Sequence, residues 1–330
     1  MVLRTPLTEM LEIKHPIISA PMATVSGGAL ASAVTAAGGL GLIGGGYGDR
    51  DWIERELRAA GNTRVGVGLI TWRLAEQPEL LDLALDYSPA AIFLSFGDPT
   101  SFVARAKSAD VPVLCQVQTL AHAQSAAAAG ADIIIAQGTE AGGHGGARTT
   151  VTLVPAVVDA VGPVPVVAAG GISDGRGLAA ALTLGATGVL IGTRFYATHE
   201  ALGHDNIKAR LVSAGGDNTV RTGVFDIIRE LPWPDPYRVR AVHNALSERW
   251  HGVEGELRQV IESGKASGTD TPVEEFRTAM DIGDTEEGVV VGGQGLDLVN
   301  QIEPAGDLVT RIIADAEKML TKAVSLSRPD

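Results

Sequence analysis

The chain has 330 residues, 45% of them hydrophobic, enough for one large barrel or two ordinary domains with a buried core. Its formal net charge of -13 leaves no basic stripe for a nucleic-acid backbone, and no run reaches the roughly 18 apolar residues of a membrane span. A single cysteine, Cys115, excludes an intrachain disulfide framework and any multi-cysteine metal site.

The N-terminal segment MVLRTPLTEMLEIKHPIISAPMA has no basic stretch leading into an uninterrupted apolar one, so it does not read as a secretory signal. A cytoplasmic protein is expected, with a small-molecule partner and with neither nucleic acid nor membrane. A homodimer is the assembly to consider.

From residue 16 to about 196, short β-branched apolar runs alternate with longer alanine-rich stretches of helical period, the pattern of repeated βα units. Eight strands are predicted, over 16–20, 39–43, 65–70, 91–96, 113–117, 132–136, 164–168 and 188–191. Most are apolar on both faces, as parallel strands buried between a core and outer helices should be. Helices are predicted over 51–60, 79–86, 100–109, 121–129, 152–161 and 176–184. Eight such units with short loops favour an α/β fold closed as a (β/α)8 TIM barrel over an open doubly wound sheet.

After residue 200 the rhythm changes. Segments 237–249, 253–263, 272–280 and 308–324 read as helices, and 288–291 as a strand-like piece running into GGQGLDL. The expected organisation is a barrel over 1–215, completed by 285–330, with an additional C-terminal helical region over 216–284 on the substrate side.

In a barrel, the loops that follow the strands gather at one end, and chemistry is expected there. Ala20-Pro21-Met22-Ala23 follows the first strand. The loops Ala169 to Gly175 and Gly192 to Arg194 follow the seventh and eighth, where glycines let backbone N–H groups crowd a phosphate. Arg194 either pairs with that phosphate or forms a structural ion pair.

The sixth strand leads into Gln137-Gly138-Thr139-Glu140-Ala141-Gly142-Gly143-His144-Gly145-Gly146. The glycines predict few bulky neighbours for the imidazole, which should titrate near neutrality and either take a proton or hold an anion. Glu140 is equally a partner for His144 or a brace for the loop. Gln116 and Gln118 flank the end of the fifth strand, and share a face only if that strand stays regular. No histidine pair has zincin spacing, so no metal is expected.

The motifs PIISAPMA, QGTEAGGHGG and VPVVAAGGISDGRGLAAALTLGATGVLIGTRF resemble the nitronate monooxygenases, and RTGVFDIIRELPWPDPY and GGQGLDLV extend the likeness through the C-terminal part. Flavin-dependent enoyl-acyl-carrier-protein reductases and NADH:quinone reductases are similar in the same barrel motifs. The resemblance implies non-covalent FMN, with its ring near Pro21, Met22 and Ala23 and its phosphate on Gly171, Leu190, Ile191, Gly192 and Thr193. Gln116, Gln137 and Gly142 match positions near the cofactor, and His144 matches the family's active-site histidine.

Together, these readings place cofactor contacts at Ala20, Pro21, Met22, Ala23, Gln116, Gln137, Gly142, Gly143, Gly170, Gly171, Leu190, Ile191, Gly192 and Thr193. Substrate contacts are expected from His144 and Gln294, with His144 catalytic. The implied reaction is oxidation of alkyl nitronates or nitroalkanes by O2 to a carbonyl product and nitrite, with His144 binding the anion or acting as base. The alternative is FMN-dependent reduction of an enoyl thioester or quinone by NAD(P)H. One departure stands out: members of that family often carry asparagine in a GVNL-like motif where this chain has Gly68.

Overall fold

The protein is described by a computed structural model over residues 3–268 and 271–326. The outermost residues of both expected barrel segments, and residues 269 and 270 of the intervening one, lie outside the described residues. Eleven strands are described: β1 (Ile17–Ser19), β2 (Leu42–Gly44), β3 (Gly66–Ile70), β4 (Ile92–Ser95), β5 (Val113–Val117), β6 (Ile133–Gln137), β7 (Gly143–Gly145), β8 (Val166–Ala169), β9 (Gly188–Ile191), β10 (Thr219–Thr222) and β11 (Arg238–Val242).

Eight of these form one all-parallel sheet in the order β1-β9-β8-β6-β5-β4-β3-β2. An Ile18–Leu40 bridge joins its two ends, with Ser19 N–H donating to Leu40 O at 3.0 Å and Leu40 N–H to Ile17 O at 2.9 Å. Closure removes both edges, and the fold is a (β/α)8 barrel.

Strand parity divides the core. Leu114, Ile133, Ile135, Val167 and Leu190 point inward and fill the barrel with Phe93 and Leu42. Their neighbours Cys115, Ile134, Ala136, Ala168 and Ile191 point outward to the helices. Cys115 is therefore a packing residue, and burial pushes its thiol up to about 12.

Residues 237–249 do not form the predicted single helix. They make β11, then the helix Ala245–Trp250 behind the Asn244 cap. The reason is lateral pairing: β11 is antiparallel to β10 on one side and to β7 on the other, while Val239 and Ala241 bury into a separate apolar cluster. Tertiary hydrogen bonding overrides local helical period here. Segment 288–291 forms no named strand, although Val290 O accepts from Val242 N–H at 2.8 Å.

The sheet β10-β11-β7 has a functional consequence. It captures the loop after β6, so the stretch carrying His144 is a strand, register-paired with Val239. Phe225, Ile228, Leu257, Ile261 and Phe276 pack behind it as a small core of their own. The long helix Ala305–Leu326 returns to the barrel and packs on the helix Gly175–Thr183. Among the described residues, no helix is long and apolar enough to cross a membrane.

Candidate active site

The C-terminal ends of the barrel strands surround a cavity of about 320 Å³. It receives Ala20, Pro21, Met22 and Ala23 from the loop after β1, Gln116 from β5 and Gln137 from β6. Gly142, Gly143 and His144 form another part of the wall. Gly170 and Gly171 follow β8, and Leu190, Gly192 and Thr193 come from the end of β9.

Two expected residues are not brought in. Ile191 is buried on the outer face, because alternation along β9 gives the inward position to Leu190. Gln294 is exposed and is not among the lining residues; its main-chain N–H docks on Glu140 O at 2.8 Å, while Gly293 and Gly295 beside it face the cavity.

His144 is 8% exposed, and its Nε2 lies 2.8 Å from Asp226 Oδ1. Asp226 comes from the helix Val224–Ile228 and is itself buried. A carboxylate only accepts, so Nε2 carries the proton and Nδ1 presents a lone pair. Burial pushes the imidazole below its ordinary value of 6.5; the Asp226 bond and charge oppose this, and Arg229 and Arg221 add to it. The site thus favours neutral histidine.

The expectation of few bulky neighbours fails. Trp233 stacks on the imidazole with ring centroids 3.4 Å apart, and Phe96 meets it edge-on at 6.3 Å. Both arrive from distant segments, which the glycines flanking His144 do not reveal. Trp233 Nε1 donates to the Tyr47 hydroxyl at 3.2 Å, tying this aromatic group to the loop after β2. Tyr47, Phe96, Asp226, Arg229 and Trp233 were all missed from sequence. For Asp226, Arg229 and Trp233 the local signal was their place in the chemically rich run RTGVFDIIRELPWPDPY; Tyr47 and Phe96 lie outside it.

A polar chain fixes the backbone behind His144. Gln118 Nε2 donates to Gln137 Oε1 at 2.8 Å, and Gln137 Nε2 donates to His144 O at 3.0 Å. Gln137 is therefore committed on both ends of its amide and positions His144, whereas no described residue bonds the Gln116 amide. Glu140 braces the loop: its carboxylate accepts from Thr150 N–H at 2.9 Å and from the Thr150 hydroxyl at 2.9 Å. Arg194 is fully buried and ion-pairs with Glu303 while donating to Ala197 O, which decides for the structural ion pair.

Another part of the cavity wall offers donors for an anion. Among the described residues, the N–H groups of Gly171, Ile172, Gly192 and Thr193 donate to no protein acceptor, and all four residues line the cavity. A Cβ on Gly192 would meet only Ala20 Cβ at 3.5 Å and Met22 Sδ at 3.7 Å, so this face is open. The glycines are not all alike: a Cβ on Gly142 would run into Gly293 N at 2.8 Å, so that position serves loop packing.

At Gly68 a Cβ would fall 2.3 Å from both Cβ and Cγ of Pro21. The proline ring occupies the space that a larger residue would need. Gly68 and Pro21 thus form one wall in place of a side-chain amide.

A closed parallel barrel with a buried histidine–aspartate pair beside an open row of backbone donors defines a small-molecule barrel enzyme. The chain belongs to the nitronate monooxygenase family, whose model matches residues 4–65 and 62–315, and it is therefore an oxidoreductase. It is 35% identical to nitronate monooxygenase npaC of Metarhizium robertsii, over 94% of this chain and 93% of that one. It is also 33% identical to a 5-hydroxy-7a-methyl-1-oxo-octahydro-1H-indene-4-carboxyl-CoA dehydrogenase of Mycobacterium tuberculosis, over 99% of both chains. Among solved structures, FabK from Thermotoga maritima superposes with a TM-score of 0.82 at 31% identity, covering 98% of this chain and 99% of that one.

Proposed function

We propose that this protein is an FMN-dependent oxidoreductase that converts alkyl nitronates, with O2, to a carbonyl product and nitrite. The observation that carries this reading is His144, pinned through Nε2 by Asp226 and set in the wall of a cavity with an open row of backbone donors. FMN supplies the electron acceptor that a polypeptide lacks. Gly171, Ile172, Gly192 and Thr193 suit its phosphate, and Pro21, Met22, Ala23 and Gln116 suit its ring.

His144 acts as a base through Nδ1. A neutral nitroalkane must lose its α-proton before oxidation, and a lone pair held in one orientation takes it. A nitronate has already lost that proton. The lowered basicity of His144 argues against a standing imidazolium that holds the anion. Residues 1–215 and 285–330 serve as the barrel unit, and 216–284 supply the substrate-side wall through Arg229, Trp233, Val239, Phe276 and Met280.

Anaerobic mixing with ethyl nitronate should bleach the bound flavin, and aerobic turnover should release nitrite. Absence of both would overturn this reading. The likeness to a CoA-thioester dehydrogenase over 99% of the chain supports a second one, FMN-dependent hydride exchange between NAD(P)H and an enoyl thioester or quinone. Rapid anaerobic bleaching by NADH or NADPH, without nitronate reduction, would select it.

A further inference from the structure

The cavity wall holds a cation for which the chemistry above has no use. Arg229 directly follows the helix Val224–Ile228, three residues after Asp226, so both side chains leave one face of the turn. Of the ionisable side chains lining the cavity, Tyr47, Tyr196, Glu140, His144 and Arg229, only Arg229 is a permanent cation.

The acidic groups nearby do not ion-pair with Arg229, although Asp226 Oδ2 is buried without a hydrogen-bond partner. Asp226 holds His144, Glu140 binds Thr150, and Glu230 turns outward to Lys265 and Arg277. The neighbouring arginines are also occupied: Arg221 and Arg240 both donate to Thr139 O. Among the described residues, no carboxylate pairs with Arg229. Its guanidinium instead lies over Tyr47, 5.3 Å from the ring centroid.

Stacking on a phenol holds a guanidinium in place without neutralising it. A half-buried cation facing a cavity is then completed by an anion from outside the protein. Phe276, Met280, Val289 and Val291 make part of the cavity wall apolar, and they suit an alkyl group.

We infer that Arg229 is the substrate's anion anchor, taking a planar two-oxygen anion, nitronate or carboxylate, whose alkyl part lies on the apolar wall. The fork of a guanidinium matches such an anion through two parallel N–H···O bonds. The inference rests on the reading of this cavity as the substrate site. It assigns the anion to Arg229 and leaves His144 free as the base.

The test uses the flavin-loaded protein and reads ligand binding through the visible spectrum and calorimetry. Butyrate and its neutral planar counterpart butyramide are titrated into the native protein and the Arg229→Met and Arg229→Lys variants. Native protein should prefer butyrate. Arg229→Met should weaken butyrate by about 10- to 100-fold, the scale of a charged hydrogen-bonded contact, and leave butyramide unchanged, with Arg229→Lys between them.

A parallel arm follows the ethyl nitronate concentration that half-saturates anaerobic flavin reduction. Dependence of that concentration on Arg229 assigns the anchor to nitronate; dependence of butyrate alone assigns it to carboxylates. Should both arms be indifferent to Arg229, or should native protein bind butyrate and butyramide equally, the inference is overturned. The latter comparison needs no variant to fold. Failure of nitronate to reduce the flavin would remove the nitronate reading while leaving the butyrate comparison intact.

Discussion

The indole of Trp233 lies parallel to the imidazole of His144, with centroids 3.4 Å apart and planes 10° from one another. One face of the imidazole is thereby covered while Asp226 fixes its edge. Trp233→Leu should leave the His144–Asp226 pair in place but let the ring rock. A misplacement near 1 Å costs about 100-fold in rate, so turnover should fall by about 10- to 100-fold with little change in thermal midpoint. Unchanged turnover would show that the stack has no catalytic consequence.

Removing the base should separate two substrates. His144→Ala should lower turnover of a neutral nitroalkane by about 100- to 10,000-fold, the range of general-base catalysis, and affect a preformed nitronate far less. Asp226→Asn keeps the volume but loses the demand for a proton on Nε2, so it should fall between native and His144→Ala. Equal losses on both substrates would instead assign His144 to binding.

The pH response follows from burial. His144 sits below its ordinary 6.5 in the folded state, so between its folded value and 6.5 only the unfolded chain binds the proton. Stability therefore rises with pH through that window and declines as pH falls below 6.5. The acid limb of kcat/KM for nitroalkanes should likewise lie below 6.5. Asp226→Asn removes the influence that raises the histidine and should move the limb lower still. A limb above 6.5, or one that Asp226→Asn moves upward, contradicts this assignment.

Glu303 accepts from both Arg194 and Arg311 and links the segment before the last helix to the turn after β9. Glu303→Gln leaves the fully buried Arg194 without its counter-charge. Removing one member of a buried pair costs about 3–5 kcal/mol, and chemical denaturation should show a loss of that size. A loss below about 1 kcal/mol would place the pair with ordinary surface contacts.

Pro21 fills the space in front of Gly68, so placing an asparagine at that position should harm this chain. Gly68→Asn places new atoms within 2.3 Å of a rigid ring, and overpacking of this kind costs about 1–3 kcal/mol. Flavin retention on gel filtration should fall as well. Full retention at native stability would show that the loop after β1 shifts freely.

The barrel was legible because each strand advertises itself locally. An apolar β-branched run buried on both faces needs no distant information, and the eight predicted strands coincide with the eight that close the sheet. The loops after β1, β6, β8 and β9 follow directly, since a barrel sends every such loop to one end. Residues 237–249 were misread because helical period is a local property, whereas β11 exists through its pairing with β10 and β7.

From the sequence alone came the parallel barrel, the end at which chemistry is expected and His144 as a candidate there, all consequences of short-range periodicity and glycine placement. Tertiary structure alone decided what surrounds that histidine. Asp226 lies 82 residues away along the chain, and Trp233 and Arg229 come from the same segment. Folding joins them because β11 pairs with the strand carrying His144. The imidazole's tautomer, its lowered basicity and the cation in the same cavity wall depend on that long-range pairing, which leaves no periodic mark in the sequence.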